Sequence, residues 1–127
     1  MRYALLLHNL EPTPGDIREE DLQEMERLFD EYARALDAAG VLVGADVLQF
    51  SPATTTVTRR TGTTQVQDGP FAETKEALAG IFVLDVPDGD VAIAWAEKCP
   101  GASYGSVEVR PVATSFADGA WTAPGPT

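Results

Sequence analysis

The residues best suited to chemistry crowd into one connection, QDGPFAETKE, from Gln67 to Glu76. Asp68, Glu73, Lys75 and Glu76 stand there around a Gly-Pro turn and the ring of Phe71. At the mouth of an apolar cavity, Asp68 would serve as general acid or base. Lys75 would hold an anionic substrate, and Glu73 would pair with it or move a proton. The same residues also have a local use. Asp68 would cap the amides that follow it, Gly69 would take a positive φ, and Pro70 would start a helical turn. Phe71 would then pack the loop into the core. ETKE followed by ALAG reads as a short helical turn with its charges in water, where ion pairs are worth about 0–1 kcal/mol. Both readings stay open at this point.

A second set lies near the chain ends. His8 is the sole histidine, and it closes the first strand-like run. If acid–base work near neutral pH runs through an imidazole, His8 supplies it; otherwise it is a satisfied structural group. Glu108 and Arg110 alternate with Val107 and Val109 in the last strand-like run. If the valines face the core, the charged pair faces away from it. It is then either an ion pair within the sheet or a clamp for an anion. One histidine, one cysteine and scattered carboxylates give no zinc spacing, so no metal is expected. Neither GxxxxGK[ST] nor GxGxxG occurs, so no nucleotide loop and no cofactor are expected. Cys99, beside Pro100, reads as a buried thiol rather than a nucleophile.

The elements that must position these groups follow from periodicity. RYALLLH (Arg2–His8) reads as a buried strand with Tyr3, Leu5 and Leu7 on one face and Ala4, Leu6 and His8 on the other. EPTPGD is a loop, and Asp16 with Glu19 matches a capping box. Leu22, Met25, Leu28, Phe29, Tyr32 and Leu36 form a helical stripe that Gly40 ends. Val41–Phe50 reads as a strand with a bulge at Gly44. Thr55–Arg60 and Thr64–Gln67 read as a hairpin. Ile81–Val86 is a further strand. PDGD (Pro87–Asp90) opens a second helix, which puts Val91, Ala94, Trp95 and Lys98 on one face, and Pro100 stops it. Ser106–Val112 is the last strand. Without the hairpin the order is βαββαβ, the ferredoxin-like split pattern of an α+β fold. Its antiparallel sheet carries both helices on one face. The bare face is expected to pair with a second copy, forming a homodimer that encloses a small-molecule cavity, a dimeric α/β barrel. Residues 1–113 form this domain, and 114–127 is expected to be a flexible tail, with Phe116 and Trp121 available to dock.

Bulk composition narrows the partners. The 127 residues fit a single domain, and 44% hydrophobic against 23% charged residues is globular composition. Twenty acidic residues against 9 basic ones give a net charge of −11, which repels phosphate backbones and anionic membranes. No nucleic-acid or membrane partner is expected. No signal-peptide pattern and no bilayer-length apolar run occur, and a cytoplasmic protein is the expectation.

DGPFAETKE, ATTTV (Ala53–Val57), AWAEKCP (Ala94–Pro100) and VEVRPV (Val107–Val112) together resemble the DGPF branch of the YCII-related proteins. The resemblance covers about residues 1 to 113. It implies a bacterial, ferredoxin-like, dimeric α/β barrel in a family where most members have no established activity. Some relatives are small-molecule enzymes without a metal or organic cofactor, with a His–Asp pair as the implied machinery. By position, Asp68 inherits the aspartate. The histidine of those relatives comes from the first helix, and residues 17 to 39 here contain none. Two functions follow as expectations. One is a homodimer binding a small organic molecule and acting as a cofactor-free acid–base enzyme, with Asp68, His8 and Glu73 moving protons. Lys75, Phe71, Arg110 and Glu108 would then hold the substrate. The other is a non-catalytic accessory protein tied to an extracytoplasmic-function sigma factor, since some DGPF proteins are encoded beside such factors.

Overall fold

In the computed structural model, which describes residues 1–13 and 15–122, the four principal strands form one antiparallel sheet. They are β1 (Arg2–Asn9), β2 (Leu42–Val47), β5 (Ala77–Asp85) and β6 (Ser106–Pro111), in the spatial order β2-β5-β1-β6. Helices α1 (Glu19–Ala38) and α2 (Gly89–Glu97) connect them. This is the ferredoxin-like arrangement expected from the element order, with an open sheet. Between β2 and β5 stands a separate hairpin, β3 (Thr55–Thr58) with β4 (Gln65–Asp68). A small hairpin, β7 (Phe116–Ala117) with β8 (Ala120–Trp121), follows β6. Its two aromatic rings meet edge to face at 5.3 Å. Pro14 of the EPTPGD loop, and the tail beyond residue 122, lie outside the described residues.

The alternation of β1 sorts the two sheet faces. Tyr3, Leu5 and Leu7 are buried against Phe82, Leu84 and Val86 of the neighbouring strand and its end. Tyr32, Leu36, Ala92, Ala96 and Cys99 close the same core from the helix side. Val107 and Val109 pack against this core, so Glu108 and Arg110 face the other way, as their alternation predicts. Ala4, Leu6 and His8 share that open face with them. The Tyr32 hydroxyl donates to the Trp95 carbonyl at 2.7 Å, which ties one helix to the other across the core.

The helix ends show where local chemistry decided and where it did not. At the end of α1, Gly40 takes φ +75° and its N–H reaches the Asp37 carbonyl, while the Val41 N–H reaches back to Leu36. That is a Schellman stop, which needs the left-handed conformation glycine adopts freely. At the start, the expected Asp16–Glu19 capping box is not made. The N-cap is Arg18, with no side-chain cap, and Asp16 lies too far upstream to serve. Glu19, Glu20 and Asp21 in the first turn offset this by placing negative charge at the positive end of the helix dipole. In α2, Asp88 caps in the ordinary way, its carboxylate accepting from the Val91 N–H at 3.0 Å.

Strand β5 begins at Ala77, four residues before the expected Ile81. The helical turn expected from ETKEALAG is absent. Ala77 and Leu78 pair with Asn9 and His8, and the Leu48 N–H donates to the Ala79 carbonyl. Gly80 permits this, because a Cβ there would lie 3.1 Å from the Asp46 carbonyl oxygen. The register slips between Leu7 and His8 and between Leu42 and Gly44, so the bulge expected at Gly44 is present.

Candidate functional site

The end of β1 sets His8 on the open face, opposite Ser106 of β6. Glu108 stands two residues further along β6, the diagonal neighbour across the strand pair. The His8 Nε2 lies 2.5 Å from Glu108 Oε1, and Arg110 Nη2 lies 3.9 Å from the other carboxylate oxygen. His8 Nε2 is itself shielded from solvent and makes no hydrogen bond of good geometry among the described residues, so this is a close approach that becomes an ion pair only when the imidazole is protonated. A carboxylate at this distance can orient an imidazole ring. Histidine, glutamate and arginine thus form a short polar row on the open face, running from β1 onto the edge strand β6.

His8 also forms one wall of an open groove of about 1090 Å³. The β2–β3 connection (Leu48 to Thr54) and the segment from Pro70 to Leu78 form its other walls. The groove is mostly apolar, and its charged lining is Glu73 and Glu76 with no lysine or arginine. Two contacts fix its shape. The Glu11 carboxylate accepts from the Ser51 N–H at 2.6 Å and from the Ser51 hydroxyl, which pins the 3-10 turn Ser51–Ala53 to the end of β1. The Gly69 N–H donates to the Thr54 carbonyl at 2.7 Å, and the Thr56 hydroxyl donates to the Gly69 carbonyl at 2.8 Å. Gly69 takes φ +95°, the left-handed conformation expected of a glycine in this turn. Glu11 carried no sequence signal, because its partner lies far along the chain.

Residues 1–115 match the family described as the YCII-related domain. The chain belongs to the YCII-related family. A protein of Rhizobium meliloti (strain 1021), described as uncharacterized, is similar to it at 36% identity over 115 residues, covering 89% of this chain and 93% of the relative.

Against this YCII-related background, the expected site residues separate into three groups. His8, Glu108 and Arg110 come together on the open face. Glu73 and Phe71 line the groove that His8 also borders. Asp68 and Lys75 are exposed and form no part of the groove lining. Asp68 ends β4 opposite Thr55, and its carboxylate accepts no hydrogen bond among the described residues, from its following amides or from elsewhere. Phe71 does not anchor the loop in the core. Its ring is 67% exposed, with the Arg60 guanidinium 4.9 Å above it, a cation–π contact. Helix α1 presents no histidine, and the imidazole nearest the motif is His8, which takes Glu108 and not Asp68 as its carboxylate. Among the described residues, no three His, Cys, Asp or Glu side chains gather as a metal site requires, and no helix is long and apolar enough to cross a membrane.

Proposed function

We propose that this YCII-related protein is a cytoplasmic homodimer that holds a small organic molecule in the groove beside His8 and transfers a proton to or from it without a cofactor. The observation that carries this reading is the His8–Glu108 contact at 2.5 Å, placed where the open face meets the groove. His8 is the group that moves the proton, and Glu108 orients the ring and offsets the charge of the imidazolium. Arg110 follows Glu108 on the same face and lies 3.9 Å from its carboxylate, so it, rather than the exposed Lys75, would balance negative charge developing on the bound molecule. Asp68 has no part in this chemistry, since it borders neither His8 nor the groove. A second copy on the open face would exclude water from the row, which strengthens each of these interactions.

The test is a thermal-shift screen of the wild-type protein against small metabolites, followed by turnover assays on the compounds that stabilise it. His8→Gln should retain the fold and lose at least about 100-fold in rate, the lower end of what positioned acid–base groups contribute. Glu108→Gln should fall in the same direction. Full turnover in His8→Gln would remove the imidazole from the mechanism. If no compound stabilises the wild type, the accessory role beside a sigma factor gains instead.

A further inference from the structure

The β3–β4 hairpin belongs to neither sheet face. It forms its own two-stranded sheet, and every residue from Arg59 to Asp68 is exposed. Its cross-strand pair, Val57 with Val66, is 61% and 64% exposed. An isolated hairpin is at best marginally stable in water, so apolar residues at its centre call for a cover. Its charge is also opposite to that of the molecule. Arg59 and Arg60 stand in a stretch, residues 53 to 67, that contains no acidic residue, in a chain of net charge −11. Neither arginine makes an ion pair among the described residues, while Arg18, Arg27 and Arg34 each do.

The groove beside His8 has the complementary lining. Glu73 and Glu76 are its charged residues, and neither has an ion-pair partner among the described residues. Phe50 and Phe71 add apolar surface that is 49% and 67% exposed. An apolar wall with an acidic border suits an apolar hairpin with a basic tip. In a two-fold dimer such a contact is reciprocal, since each copy carries both the hairpin and the groove.

We propose that the β3–β4 hairpin is an exchange arm: in the dimer Arg60 gives up its cation–π contact with Phe71 of its own chain, and the tip lies against the partner's groove, where Arg59 and Arg60 meet Glu73 and Glu76. The arm then forms part of the wall of the ligand site, so each site is complete only in the presence of a second copy. This rests on the homodimer reading above.

Cross-linking between singly substituted proteins tests it. Cys99 is the sole native cysteine and is buried, so introduced thiols report cleanly. Arg59→Cys protein is mixed with Glu73→Cys protein under mild oxidation, and a disulfide-linked pair of unlike chains is expected on a non-reducing gel. Arg59→Glu with Arg60→Glu should weaken dimerisation at least about tenfold by light-scattering titration. Mixing that variant with Glu73→Arg/Glu76→Arg protein should restore it. If the wild type is a dimer but the two cysteine variants form no such cross-link, or dimerisation survives both charge reversals unchanged, the arm is overturned and the sheet-face dimer is left standing. A wild-type protein that is monomeric throughout overturns both.

Discussion

His8 and Cys99 show how differently the two reactive side-chain types are placed. His8 is about a quarter exposed at the groove, while Cys99, just past the end of α2, is 2% exposed. Burial pushes the Cys99 thiol up, with backbone hydrogen bonds from Gly101 and Ala102 opposing it more weakly. A raised thiol pKa means less thiolate, hence a poor nucleophile. Native protein should therefore resist iodoacetamide at mildly alkaline pH and react fully once unfolded in urea; fast labelling of the folded protein would contradict the buried placement. The same burial raises the phenols of Tyr32 and Tyr104. For groups whose folded pKa is raised, their contribution to stability is present below the unfolded value and is lost as pH climbs toward the folded one. The melting temperature should accordingly fall on the alkaline side, once pH passes the ordinary thiol and phenol values. The inward face of β1, with Tyr3, Leu5 and Leu7, was legible at this scale. The His8–Glu108 pair was not, because a diagonal contact between the first and last strands depends on register, which neither strand specifies alone.

At the scale of elements, the sequence was clear where periodicity and stop signals agreed. The stripe of α1 and its Gly40 stop, the Asp88 start of α2, and the alternation of β1 all appear where they were expected. It misled at ETKEALAG, whose Glu, Lys, Ala and Leu are good helix formers. Pairing of β5 with both β1 and β2 outweighs that preference, and a strand results. Glycine at another junction sets the position of the proposed site. A Cβ on Gly105 would lie 2.2 Å from the His8 carbonyl oxygen and 3.0 Å from the Asn9 Cβ. No flexible side-chain end can yield there, so the backbone of β1 or of the turn before β6 must move. Gly105→Ala should cost at least about 1–3 kcal/mol, as overpacked sites do. It should also disturb the His8–Glu108 contact, seen as displaced His8 ring signals by NMR at fixed pH. A variant with native stability and an unchanged His8 signal would show that β1 does not approach this turn so closely.

For the molecule as a whole, the question is what the open sheet face is for. Its central rows carry Ala4 beside Val83 and Leu6 beside Ile81, with Arg110 and Glu108 at the β6 end and Asp46 at the β2 end. An apolar centre with charged edges is the general anatomy of an interface. The helices cannot cover it, because both already lie on the opposite face with the core. Substitution at Leu6 separates this face from the core, since Leu5 and Leu7 on either side point inward and are buried. If the proposed dimer uses this face, Leu6→Glu should bury a carboxylate in each half of the contact, where like charges repel and desolvation is costly. The expected outcome is a monomer by light scattering with unchanged far-UV circular dichroism. Its melting temperature should lose the concentration dependence that a dimer confers. If Leu6→Glu remains dimeric, the bare face is not where two copies meet. Proton transfer at His8 would then have to proceed in a groove open to water.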